Sequence, residues 1–389
     1  MRKTLIVFFC CLCVLWFLST DKMCFAESNA EQIYKELSEN VNNQLNKFDF
    51  TELDKELGKQ ENPYDKLSFV DRVKKIIEGD INLDYNSFIS YLLTSLFDEI
   101  LKCVPIFCLI VSVAIICNLV GQLSSNRNSV GNVVYFVCFA VIVVLIFKYV
   151  LGLITTTKTT LSSLSNQIQI IFPILLTLIT ALGGVVSAGI YQPAMSVLSS
   201  VISELFISIL MPIFIFSFVF NIMGNISPNI KMEKFAKFFS SLFKWLIGIV
   251  FTLFVSFISI QGITAISADS ISIKTAKFAL KSYVPFLGGY LSDGISLIMA
   301  SSVLVKNGIG VTGLILMFST ILSPVLKILI FMLGLKLVAG ILEPLTEKRI
   351  SEFVYGVSKS LSMLIACIVG MGFMYLISIG LVMCSANIF

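Results

Sequence analysis

The sequence predicts an all-α fold, a polytopic transmembrane helical bundle of seven or eight spans preceded by a small extracytoplasmic helical domain. Three observations predict it. Hydrophobic residues make up 57 % of the 389 positions and charged residues 13 %, against about a quarter charged in soluble domains, and mean hydropathy is +0.93. After Lys102 the apolar runs follow one another, at 103–120, 132–154, 168–190, 195–223, 245–266, 284–305, 309–342 and 360–384. Each approaches or exceeds the roughly 20 residues a helix needs to cross about 30 Å of hydrocarbon, and open strands are excluded there because unpaired backbone is costly in lipid. Third, residues 27–100 carry 16 acidic against 8 basic residues, a net of −8, whereas residues 101–389 carry 17 basic against 7 acidic, a net of +10. The chain thus reads as a leader (1–26), an acidic amphipathic-helical domain (27–100) and a polytopic membrane domain (101–389).

The leader has Arg2 and Lys3, an apolar run from Leu5 to Leu18 that is short for a span, and Cys24-Phe25-Ala26 before Glu27. These are the parts of a signal peptide cleaved after Ala26, which places residues 27–100 outside the cytoplasm. In that stretch Ile33, Leu37, Val41 and Leu45 recur every four residues, then Phe50, Leu53 and Leu57 up to Gly58, then Leu67, Val70, Val73 and Ile77 up to Gly79. That is the period of amphipathic helices ending at glycines. A fourth helix begins near Asp84 and Asn86 and runs towards the first span. So few large apolar groups make a small core, so this domain needs support from a partner or the membrane domain.

Two linkers are basic. Residues 231–245 hold Lys231, Lys234, Lys237 and Lys244 among phenylalanines, and Lys274, Lys277 and Lys281 follow later; both read as interfacial helices. With eight crossings, strict alternation puts these linkers on opposite sides, while the positive-inside rule prefers both in the cytoplasm. One run is therefore expected to be re-entrant, near Gly183-Gly184 or Gly288-Gly289.

The chain has no histidine, which removes the commonest general acid/base and metal ligand. Of its ten cysteines, four lie in the leader, and the other six sit in or beside apolar runs as small hydrophobes. No P-loop, dinucleotide fingerprint or nucleophile elbow is present. An aspartyl protease needs two facing membrane aspartates and only Asp293 is available, so no catalytic, cofactor or metal residues are assigned and the chain reads as a non-enzyme.

Asp293 sits in the apolar segment 284–305, about 12 Å along a helix starting at Pro285. A carboxylate at that depth costs about 2.5–3.5 kcal/mol and needs water or a partner. Lys327 and Lys336, in the next run, are the candidate partners, and Glu204 is a further intramembrane acid. These four are pore candidates or, on the plainer reading, helix-pairing residues. Gly288, Gly289, Gly294 and Pro324 are candidate hinges, with a broken or strongly tilted helix expected at Pro324 because proline removes a backbone bond.

The order of features, and above all VPFLGGYLSDGISLIMASSVLVKNGIGVTGL, SPVLKI and LVAGILEP, resembles the stage III sporulation protein AE family of endospore-forming bacteria. That resemblance implies a subunit of the channel complex between mother cell and forespore, in the mother-cell membrane surrounding the forespore. The implied partners are the ring-forming and ATPase-like products of the same operon and, through the complex, stage II sporulation protein Q, with no nucleic acid. It implies a permease- or export-gate-like core, or alternatively a non-conducting scaffold that recruits the ring proteins through residues 27–100.

Overall fold

The computed structural model of the chain describes residues 30–58, 67–80, 85–123, 128–226, 232–283, 288–346 and 348–385. The leader and its cleavage site lie outside them, as do the side chains of residues 261–295. Three short helices come first, α1 (Ala30–Leu45), α2 (Thr51–Gly58) and α3 (Phe69–Glu78). Long ones follow: α4 (Tyr85–Leu123), α5 (Asn128–Ala181), α6 (Val185–Leu205), a π turn (Phe206–Leu210), α7 (Met211–Ile226), α8 (Glu233–Tyr283), α9 (Gly288–Leu342) and α10 (Lys348–Cys384). The all-α class holds among the described residues, with six helices long and apolar enough to cross a membrane.

Six rather than eight follows from two fusions. The runs 132–154 and 168–190 read as separate because TTTKTTLSSLSNQ lies between them, yet α5 carries the first and most of the second without interruption. Hydroxyls in the join satisfy themselves on their own helix: Thr155 donates to the Leu151 carbonyl, Thr157 to Leu153 and Thr160 to Thr156, at 2.8–3.1 Å. A polar stretch that bonds back in this way stays helical. Likewise 284–305 and 309–342 share α9 from Gly288 onward, and that helix passes through Pro324 without the expected break. The Thr320 hydroxyl, four residues before the proline, donates back to the Leu316 carbonyl at 2.8 Å. The irregularity falls elsewhere, in the π turn at Phe206–Leu210.

Pair contacts fix the direction of each column. Tyr149 stacks on Phe331 at 4.0 Å between ring centroids, and Gln167 Nε2 donates to Thr320 Oγ1 at 2.8 Å, so α5 and α9 run antiparallel. Ser351 Oγ donates to the Ala339 carbonyl at 2.9 Å and Tyr375 Oη to that of Gly313 at 3.2 Å, so α9 and α10 form an antiparallel hairpin. Tyr135 Oη reaches the Asn225 carbonyl and Gln169 Nε2 reaches Ser200 Oγ, each at 3.3 Å, setting α6–α7 antiparallel to α5. Phe220–Phe235 and Phe216–Phe239 close the α7–α8 hairpin, and Phe107 stacks on Phe331. The result is an up-and-down bundle of six columns. At one end, here the near end, lie the C-termini of α4, α7 and α9; at the other, the far end, lie the turn after Ala181 and the C-terminus of α10. Gly183, at φ +88°, makes the α5–α6 turn, a backbone state that favours glycine; no re-entrant loop forms there.

The innermost column is α10, 56 % of whose most apolar window is buried inside the protein against 17–39 % for the other five. Large apolar side chains on α4, α5 and α8, including Leu101, Leu109, Val133, Phe136, Trp245 and Leu253, point outward, as they should towards lipid. At 1.5 Å per residue α5 and α9 are about 80 Å long, so both extend well past a hydrocarbon layer of about 30 Å.

The short helices dock on α9 near its far end. Gln44 Nε2 donates to Ser302 Oγ at 3.0 Å and Ser301 Oγ at 3.2 Å, and a Cβ on Gly308 would lie 2.9 Å from Ile77. Phe50 stacks on Phe69 at 5.3 Å. Ser68 caps α3, and Gly79, at φ 74°, ends it in the left-handed state. Asp49 accepts from the Thr51 hydroxyl and from the Thr51 backbone N–H at the start of α2; these bonds, the hydroxyl's first, hold its carboxyl below the usual 3.8. A depressed carboxylate stabilises the fold above its unfolded pKa and stops doing so as pH falls through its folded one. Amide exchange at the first turn of α2 is therefore expected to quicken below about pH 4, and Asp49→Asn to remove that pH step.

Candidate functional site

Polar residues recur at helical spacing on three adjacent columns at the near end. On α7 they are Ser217, Asn221 and Asn225; on α8 Lys237, Ser240, Ser241 and Lys244; on α10 Glu352, Lys359 and Ser360 with Gly356 between. Spacings of three, four and seven put each set on one face, and the three faces enclose a cleft of about 440 Å³. Charged residues within spans avoid lipid by facing protein or water. Here Lys237, Lys244, Glu352 and Lys359, from two candidate spans, all line one cavity.

Gly356 makes the cleft possible. A Cβ there would lie 2.3 Å from Asn221 Nδ2, so only glycine lets the Asn221 amide lie against the α10 backbone. Asn225 Nδ2 donates to the Asn221 carbonyl at 2.8 Å, while Asn221 Oδ1 is buried without a hydrogen-bond partner. Glu352 faces Lys348 across 3.6 Å.

Met363 lies at the inner end of the cleft, and beyond it the column closes. Phe206, the first residue of the π turn, is fully buried, and both it and Phe251 come up against Gly370, whose Cβ would lie 3.2 Å from the Phe251 ring and 3.6 Å from the Phe206 ring. π turns occur often at functional positions. Past this barrier a void of about 10 Å³ is lined mainly by apolar side chains, Ile168, Met195, Ile202, Phe254, Met371 and Met374, with Ser199 and Ser378, about the space of one water. Along α10 the order is thus polar cleft, aromatic barrier, small and mainly apolar void.

Three of the four pore candidates, Asp293, Lys327 and Lys336, share one helix. Asp293 and Lys327 lie on the same unbroken helix, 34 residues and about 51 Å apart, so they cannot pair within one chain, and Lys336 is farther still. The Asp293 side chain lies outside the described residues; the candidate hinge glycines Gly288, Gly289 and Gly294 lie in the helical backbone of the first turns of α9. Lys327 is half-buried beside α4, within electrostatic reach of Cys103, whose Sγ is 3.2 Å from Tyr149 Oη. Glu204 is exposed and accepts from Ser208 on its own column. Lys336 is exposed.

Sequence reasoning missed two things. The cleft spreads over three segments, and residues 231–245 read equally well as an interfacial helix; the signal was polar residues repeating every three or four positions in three separate segments. Lys306 was overlooked although it is fully buried. Its Nζ donates to the carbonyls of Met383 at 2.9 Å and Ser385 at 2.6 Å, capping the end of α10. The two basic segments belong to one helix, α8; Lys237 and Lys277 are about 60 Å apart along it, so they cannot share one membrane face.

The profile of the stage III sporulation protein AE family matches residues 67–386. The chain belongs to this family. Stage III sporulation protein AE of Bacillus subtilis (strain 168) is 24 % identical over 316 residues, which cover 81 % of this chain and 79 % of that protein. No solved structure matches. The family is one of sporulation membrane proteins and not a known enzyme family. Among the described residues no three His, Cys, Asp or Glu side chains gather in a way that would hold a metal ion.

Proposed function

We propose that this chain is the permease-like membrane subunit of a transenvelope channel complex linking mother cell and forespore, seated in the mother-cell membrane around the forespore. The observation that carries the reading is the convergence of four charged residues from two spans, Lys237, Lys244, Glu352 and Lys359, on one cleft that ends at the Phe206–Phe251–Gly370 barrier. In this reading the near end is cytoplasmic. It collects Lys234, Lys237, Lys244, Lys348, Arg349 and Lys359, which the positive-inside rule favours there, while Lys274, Lys277 and Lys281 follow at the other end of α8 and the acidic α1–α3 helices sit towards that opposite end, between the two membranes. The cleft is then the mouth of a conduit held shut by aromatic side chains. Opening it needs only a shift of the π turn against α10.

The ring-forming and ATPase-like proteins of the same operon, and stage II sporulation protein Q through them, are the proposed partners. The exposed acids Glu36, Glu39, Glu52 and Glu78 on helices docked to α9 offer the rings a surface. That docking also favours the second reading, a non-conducting scaffold; the two share the far end and differ at the near one. The chain acts without catalysis in either.

Thiol labelling tests the proposal. In a background with the native cysteines replaced, Lys359→Cys is expected to react with a membrane-impermeant maleimide from the cytoplasmic side, and Ser378→Cys to stay unreactive from both sides. Lys359→Cys reacting solely from the outer side, or not at all in folded protein, would contradict the mouth.

A further inference from the structure

We propose that the near-end cleft is a binding site for a small soluble anion, one that carries carboxylate or phosphate groups together with a hydroxyl or ammonium donor. This rests on the permease reading and names the class of solute the mouth would accept. The lining holds three lysines and one glutamate, and the glutamate already faces Lys348, so the cavity field is cationic. A cleft walled on its inner side by apolar helices strengthens such a field over its value in bulk water and concentrates counter-ions. Its volume of about 440 Å³ lies in the range of small-molecule sites.

The second requirement on the solute comes from Asn221. Its buried Oδ1 has no donor, and a buried acceptor left unpaired is costly. An anion with a hydroxyl or ammonium group supplies the donor while its charged end meets Lys244 and Lys359. The cleft fits an acyl chain less well than a polar solute, because Asn221, Asn225 and four serines share its lining with Phe220, Tyr355 and Met363. The groove with walls for acyl chains lies elsewhere, between α4 and α9, about 670 Å³ lined by Val104, Phe107, Leu333 and Leu337 among others.

The test uses the full chain in phosphatidylcholine nanodiscs, titrated by calorimetry with glycerol 3-phosphate, inorganic phosphate and glycerol. Glycerol 3-phosphate is expected to bind saturably, inorganic phosphate more weakly, and glycerol not at all. The double variant Lys244→Gln/Lys359→Gln should weaken glycerol 3-phosphate at least tenfold at an unchanged unfolding midpoint. Asn221→Leu should bring glycerol 3-phosphate and phosphate to similar affinities. The proposal is overturned if no anion binds saturably, or if the folded double variant binds like the parent. It is equally overturned if discs with one third phosphatidylglycerol abolish binding and the double variant no longer enriches that lipid, since the occupant is then a headgroup. Absent binding alongside a barrier that still opens on mutation removes the anion and leaves the conduit; retained binding with a barrier that never opens does the reverse.

Discussion

Replacing Lys306 by methionine is expected to destabilise the membrane domain by about 3–6 kcal/mol, the sum of two hydrogen bonds to a charged donor. Lys306 is fully enclosed, and its ammonium serves the carbonyls of Met383 and Ser385 at the end of α10. The last four carbonyls of any helix lack partners of their own, and a cation there also meets the negative end of the helix dipole. Methionine fills the same volume but donates nothing, so the end of the central helix would be left unsatisfied inside the protein. The unfolding midpoint in detergent should fall by on the order of 10 °C, with faster amide exchange confined at first to the last turns of α10. Lys306→Arg should lose less, because it keeps the charge and the donors. An unchanged midpoint for Lys306→Met would show that the carbonyls are satisfied without it.

How far these features could be read beforehand depended on whether they were local. The helical class and the membrane setting were legible because each apolar run is long enough to span on its own, and the ends of α2 and α3 were legible at Gly58 and Gly79. The number of crossings was not. Thr155–Thr160 look like a linker in composition, and their hydroxyls bond back onto the helix in a way that composition does not display. Asp293 and Lys327 read as partners when segments 284–305 and 309–342 form two helices; one continuous α9 sets them about 51 Å apart. The family was recognisable from residues in the C-terminal half, and the profile match extends that likeness over residues 67–386. Lys306 and the cleft were hidden for a common reason. Each depends on which columns stand side by side, and neither α7 beside α10 nor the end of α10 beside Lys306 is written in local sequence.

The second large effect is expected at the barrier. Phe206 is buried at the start of the π turn and Phe251 packs beside it against Gly370; in the permease reading these two rings close a route between the cleft and the void beyond. An apolar constriction of this kind gates by excluding water. Phe206→Ser removes one ring and adds a hydroxyl that water can follow. Loss of a buried phenylalanine also costs about 3–5 kcal/mol by the usual scale for truncation to a small residue, so Phe251→Ala serves as an independent opening of the same constriction, and the unfolding midpoint of each variant must be followed alongside.

The decisive measurement is efflux of a small entrapped fluorescent anion from liposomes carrying the purified chain. The parent protein should leave the liposomes tight, and folded Phe206→Ser and Phe251→Ala should each raise the efflux rate at least tenfold, with the increase abolished by Gly356→Leu, which fills the mouth. Folded variants at both positions that leave the liposomes as tight as the parent would contradict a conduit behind the cleft.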